Sequence, residues 1–355
     1  MKTILYYVSG HGFGHAVRAG QVIDALSGDY GHKVVVRTRA PAWLFPSSDA
    51  VVIEREEVDS GPAQVDSITT DIAGTYKRFV GLMSNIDNLV ERELKVLDRI
   101  EPKVIVTDIA PLGVAVATKR GIPVVVVANF LWDWILKGYV KSEPRFSDIA
   151  SWLKELYAQA DVILKTPLSG GFEGYKNVVD IPLIAKSFSK PKDTARKELS
   201  LPMDKALALV SFGGSGLESF YENLEERCTL CDLIALGDGN SVSGGIRFFD
   251  RQTTVHGDLL SAADIVIGKL GYGLCSELIA TRRPILYTVR KDFAEYNVLD
   301  MEIRKYINVE EISREAFFGS NLDGFLTGLL NSSHPLNFAR TDGAQVAAKR
   351  IAGFL

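Results

Sequence analysis

Short runs of β-branched and aliphatic residues, without polar alternation, recur along this chain. Segments of helical period separate them. Runs of that kind suit strands buried on both faces of a parallel sheet, which must be joined by crossover helices. In the first half they fall at residues 4–8, 34–36, 51–53, 104–106, 124–127 and 162–164. Between them Tyr76, Phe79, Val80, Met83, Ile86, Val90, Leu94, Leu97 and Ile100 recur at three- and four-residue steps, predicting one long amphipathic helix that Pro102 ends.

The polar, proline-containing stretch 186–193 reads as an interdomain linker. Alternation then restarts with strands at 206–211, 233–235, 246–248, 265–267 and 285–287. Each series opens as strand, Gly-rich turn, helix. The expectation is an α/β chain of two Rossmann-like domains facing a central cleft. Residues 1–187 form the first domain and 188–335 the second; 336–355 end in a helix, over 344–354, that packs back on the first.

At 355 residues the chain is long for one core and suits two. Net charge is −4 and no Lys/Arg block occurs, which points away from a nucleic-acid partner. No stretch approaches the ~20 apolar residues of a membrane span. The first apolar run meets a Gly turn, as a first strand does, so no signal peptide is read and a cytoplasmic location is expected. Cys228 and Cys231 have C-x-x-C spacing but no second pair, and are read as packing.

Five constellations are placed to carry chemistry. The turn after the first strand holds His11, Gly12, Phe13, Gly14 and His15, with Arg18 one helical turn on. Open α/β sheets bind ligands at this rim. The start of the helix favours the neutral imidazole that a general base requires, and Arg18 is placed to meet a phosphate. Asp108 ends the run 104–106 on the same rim, placed to accept from His15 Nδ1 or to cap the next helix. In the second domain Gly213, Gly214 and Ser215 form a turn whose amides suit phosphate oxygens. The stretch with Lys269, Gly271, Tyr272, Gly273 and Glu277 leads from a strand into a helix start that suits a diphosphate, and Glu277 is placed for ribose hydroxyls. His256 is counted with this nucleotide set. Asp292, Glu295 and Asn297 are placed either to bind sugar hydroxyls or as a solvated helix start, and Trp132 and Asp133, after a strand end, either to line an acceptor pocket of the cleft or to pack between domains. No D-x-D pair occurs, which agrees with chemistry needing no metal or other cofactor.

Together these strings resemble the GT-B nucleotide-sugar glycosyltransferases, over nearly the whole chain. The resemblance implies that His15 is the base, that Asp108 orients it, and that Gly271, Tyr272 and Glu277 hold the donor, UDP by preference. Gly-His-Gly-Phe-Gly-His, Asn-Phe-x-Trp-Asp and Gly-Lys-x-Gly-Tyr-Gly also resemble strings in the glycosyltransferase-like N-terminal region of plant L-arabinokinases. Lys269 stands where the plant glucosyltransferases carry a histidine. Their Asp-Gln sugar pair is not reproduced, since Phe293 follows Asp292. The 12–18 string also resembles that of a nucleotide-sugar hydrolase of the same fold. Transfer to an unknown acceptor hydroxyl, hydrolysis with water as acceptor, and binding without turnover are the three resulting function classes.

Overall fold

The computed structural model describes residues 2–186, 190–213, 218–290 and 292–355. In the first half the strands are β1 (Thr3–Val8), β2 (Lys33–Thr38), β3 (Val51–Arg55), β4 (Ala63–Asp66), β5 (Thr69–Asp71), β6 (Val104–Asp108), β7 (Val124–Ala128), β8 (Val162–Lys165) and β9 (Val178–Asp180). All but β4 and β5 form one parallel sheet, ordered β3-β2-β1-β6-β7-β8-β9. Its helices are α1 (Phe13–Gly28), α2 (Ile72–Ile100), α3 (Pro111–Arg120), α4 (Trp132–Lys137) and α5 (Phe146–Tyr157). One apolar cluster covers each face. The side chain of Asp71 caps α2 by accepting from Gly74 N at 2.9 Å. Glu101, in the left-handed region at φ 49°, ends it ahead of Pro102.

The second half repeats the plan. Its strands are β10 (Leu207–Ser211), β11 (Asp232–Gly237), β12 (Ser241–Ser243), β13 (Ile246–Asp250), β14 (Ile265–Gly268), β15 (Ile285–Thr288) and β16 (Val309–Ile312). They are ordered β12-β13-β11-β10-β14-β15-β16, parallel except for the edge strand β12. The helices are α6 (Lys192–Glu198), α7 (Glu218–Tyr221), α8 (Leu224–Arg227), α9 (His256–Ala262), α10 (Tyr272–Thr281), α11 (Ala294–Ile303), α12 (Arg314–Gly319), α13 (Asp323–Asn331) and α14 (Gly343–Ala352). Ala344, Ala347, Ala348 and Ile351 of α14 join the cluster of Ala16, Ala19 and Ile23 of α1, so the C-terminal helix lies on the first domain. The end of the expected linker is helical: Pro191 leads into α6 at Lys192, and residues 187–189 lie outside the described residues. Cys228 and Cys231 are buried free thiols in the core beside Phe220 and Leu233.

In each sheet the strand order reverses beside the first strand, β1 next to β6 and β10 next to β14. Ligand crevices open outside the carboxyl ends of strands at such points. The two crevices face each other. The β4–β5 hairpin bridges them: Ile68, 2% exposed at its tip, packs in the second domain's core with Phe212 and Phe220.

Candidate active site

Gly12 precedes α1 at φ 72°, a conformation that favours glycine. The chain therefore turns sharply from β1 into the helix and sets His15 in the first turn. Strand β6 pairs with β1 so that Asp108 is level with Val8. That register brings the carboxylate to the imidazole, with His15 Nδ1 2.8 Å from Asp108 Oδ1. His15 Nε2 is then the ring nitrogen left for the cleft.

Arg18 lies three residues after His15, on the same helical face. It is 1% exposed and grips Asp108 with both arms of its fork, Nε to Oδ2 at 2.8 Å and Nη2 to Oδ1 at 2.6 Å. Its Nη1 donates to Asn129 Oδ1 at 2.5 Å. Asn129 Nδ2 donates in turn to Glu295 Oε1 of the other domain at 2.7 Å. A buried polar chain thus runs His15, Asp108, Arg18, Asn129, Glu295. This corrects the expectation that Arg18 meets a phosphate, because its charge neutralises Asp108. Burial pushes the Asp108 carboxyl up, but Arg18 and His15 outweigh it and hold it below the usual carboxylate range. The guanidinium also lies over the Tyr272 ring, 4.8 Å from its centroid.

On the opposite wall Gly271 leads into α10, whose start meets that of α1: a Cβ on Gly273 would stand 3.4 Å from Gly14 Cα. Two helix N-termini with their free amides therefore converge on one point. Glu277 Oε2 lies 2.8 Å from His256 Nδ1, and His256 Nε2 lies 3.2 Å from Ser211 Oγ. Burial lowers the His256 imidazole, but Glu277 overrides it and raises it above its ordinary value. Lys269 donates to the Ser67 carbonyl of the β4–β5 hairpin at 2.6 Å. Burial, reinforced by the nearby Arg290 charge, pulls its ammonium down to about 7.

These groups line one cavity of about 840 Å³, within the range of ligand pockets. His15, Gly12, Phe13, Gly14 and Arg18 reach it from the first domain. Gly213, His256, Lys269, Gly271, Tyr272, Gly273, Glu277 and Glu295 reach it from the second. Gly214 and Ser215 lie outside the described residues.

Five expected residues among those described do not line this cavity, and of these Asp108, fully buried, reaches it only through the His15 ring. Asp292 and Asn297 are exposed. Helix α11 starts at Ala294, so Glu295 in its first turn points inward, and Asn297 two residues on faces away. Trp132 is fully buried beneath the site, its Nε1 donating to Asp59 at 3.1 Å and its ring 6.0 Å from that of His15. Asp133 is buried in the same helix, and burial pushes its carboxyl up to about 6. Trp132 therefore supports the floor, and neither residue lines the cleft.

Asn129 and Arg290 are polar cavity residues outside the expected set, and His11 of the first turn lines the cavity as well. Asn129 and Arg290 each follow the carboxyl end of a strand, the position that marks ligand contacts in such sheets. His11 is walled in by the loop at Gly61, which has φ 57° and would set a Cβ 2.6 Å from the His11 Cβ. Gly61→Ala should therefore lower stability by ~1–2 kcal/mol from the left-handed backbone alone, with the clash added. A thermal melt unchanged from wild type would contradict this.

A family model described as "Glycosyl transferase family 1" matches residues 2–300. The chain belongs to that family. It is 30% identical over 324 residues to the L-arabinokinase of Arabidopsis thaliana, a match covering 88% of this chain and 31% of that protein. The chain thus spans about a third of the curated relative it matches. Among solved structures, the kitacinnamycin glycotransferase superposes with a TM-score of 0.63 at 14% identity, covering 99% of this chain and 93% of the other. Phytolacca americana UGT2, solved with UDP-2-fluoro-glucose and pterostilbene, gives 0.62 at 13% identity, covering 100% and 94%. The fold is GT-B.

Proposed function

We propose that the chain transfers a sugar from a nucleotide sugar, UDP by preference, to an acceptor hydroxyl, with inversion and without a metal. The observation that carries this reading is the His15–Asp108 pair facing the start of α10 across a shared cavity. His15 Nε2 takes the acceptor proton while Asp108 fixes the tautomer and steadies the imidazolium. The oxygen attacks the anomeric carbon on the face opposite the diphosphate, and the bond to the diphosphate breaks. Backbone amides at the two helix starts, the turn at Gly213 and the Lys269 ammonium receive the charge that develops on the leaving group. Glu277 holds the ribose and Glu295 the transferred sugar. Incubation with a panel of nucleotide sugars, with and without cell extract, tests the reading. A new glycoside formed only with extract supports transfer, free sugar from donor alone indicates hydrolysis, and no turnover indicates a binding module.

Lys269 makes donor binding pH-dependent. With its ammonium near 7 in the folded protein, the charged form is lost as pH rises through 7, and with it the attraction for a diphosphate. UDP affinity should fall about tenfold between pH 7 and 8.5. Lys269→Gln should bind more weakly at pH 7 and lose most of this dependence. Calorimetric titration at both pH values checks it; parallel slopes in both proteins would remove Lys269 from the diphosphate site.

A further inference from the structure

Arg290 lies just past the end of β15 and is 7% exposed, yet its Nε and Nη2 have no hydrogen-bond partner among the described residues. Its guanidinium is held flat on Phe293, 3.8 Å from the ring centroid, and lines the central cavity. Phe293 is braced in turn by Phe130 of the other domain, at 6.0 Å between centroids. A buried guanidinium with open donors is rare, because an uncompensated buried charge is among the costlier features a fold carries. The groups close enough to feel its charge add to the imbalance. Lys269 and His11 both titrate lower because Arg290 is near, in each case after the larger effect of burial. The carboxylate felt most strongly by Arg290 is Glu295, whose Oε1 already accepts from Asn129.

From this geometry we infer that Arg290 receives a second anionic group, a carboxylate or phosphate, carried by the transferred sugar or by the acceptor. The inference rests on the donor reading above and extends it to the class of substrate. The proposed diphosphate contacts are amides at the starts of α1 and α10, the turn at Gly213 and Lys269. Arg290 instead neighbours His11, Phe293 and Glu295, the last of which is proposed above to hold the transferred sugar. Phe212, Leu236, Phe248 and Arg251 line the part of the cavity built on β10, β11 and β13, which is left for the nucleoside. A planar fork fixed by stacking presents two parallel donors, the geometry that matches a carboxylate or phosphate edge. A neutral hexose offers no charge to it.

Calorimetry on the full chain and on Arg290→Gln tests this, using UDP, UDP-glucose, UDP-glucuronate and inorganic phosphate. Arg290→Gln should weaken UDP binding by no more than about twofold, because the amides and Lys269 remain and Lys269 only gains charge when Arg290 is removed. If the sugar carries the anion, wild type binds UDP-glucuronate at least about tenfold tighter than UDP-glucose, and Arg290→Gln abolishes the difference. If the acceptor carries it, that preference is missing, but UDP-saturated wild type binds inorganic phosphate and Arg290→Gln does not. Arg290→Lys, which keeps the charge, should retain part of either effect and covers the case in which the Gln variant fails to fold. A tenfold or greater loss of UDP itself in a folded Arg290→Gln would assign Arg290 to the diphosphate and overturn the inference. So would anion binding that is absent, or identical in wild type and variant. Wild type that does not bind UDP at all defeats the donor reading instead, and phosphate titration without UDP then still reads Arg290 on its own.

Discussion

Replacing His15 by Ala should lower glycosyl transfer by about 10²–10⁴-fold while leaving UDP affinity nearly unchanged, the loss expected of a general base. The geometry makes this a clean substitution. Asp108 keeps both contacts from Arg18 when the imidazole is gone, so no buried carboxylate is stranded. The fold should lose little, and the effect should sit in the turnover number. Steady-state rates beside UDP titrations and thermal melts separate the two. Turnover within a few-fold of wild type would remove His15 from the reaction.

Arg18→Met should have the opposite profile. It leaves Asp108, fully buried, with the imidazole alone as side-chain partner in place of a two-pronged guanidinium. Breaking a buried ion pair from one side costs about 3–5 kcal/mol, since the remaining charge stays out of water. Denaturant unfolding should show that loss. The double variant Arg18→Met/Asp108→Asn should recover much of it, because the stranded charge is then removed. The pH dependence has a definite sign. The folded Asp108 carboxyl is depressed, so the stability it contributes is present above the ordinary carboxylate range and disappears as pH falls through its lower folded value. Equal stability of Arg18→Met and wild type would show that the fork is not what holds Asp108.

The sheets were legible in the sequence because their central strands are buried on both faces and therefore unbroken apolar runs. The strands missed are those that lack this signature. β12 is an exposed Ser-Val-Ser edge, β9 and β16 are short edge strands carrying acidic residues, and β4 and β5 are short polar strands stabilised by the hairpin contact with the second domain. The His15–Asp108 pairing was legible as two residues on one rim. What Arg18 does was less so: helical spacing puts it beside His15, and only the register of β6 with β1 shows that Asp108 claims it. Asn129 and Glu295, 166 positions apart, meet through the closure of two domains, which no local pattern encodes. The error at Asn297 is one of helical phase, since the start of α11 at Ala294 turns Glu295 inward and Asn297 outward, whereas Asp292 lies ahead of the helix at φ 61°.

The most direct test of the whole account is the structure of the UDP complex. The account places the diphosphate at the starts of α1 and α10, with its terminal phosphate facing His15 Nε2 across room for one sugar. A nucleotide bound outside the 840 Å³ cleft, or within it with the diphosphate turned away from His15, would contradict it.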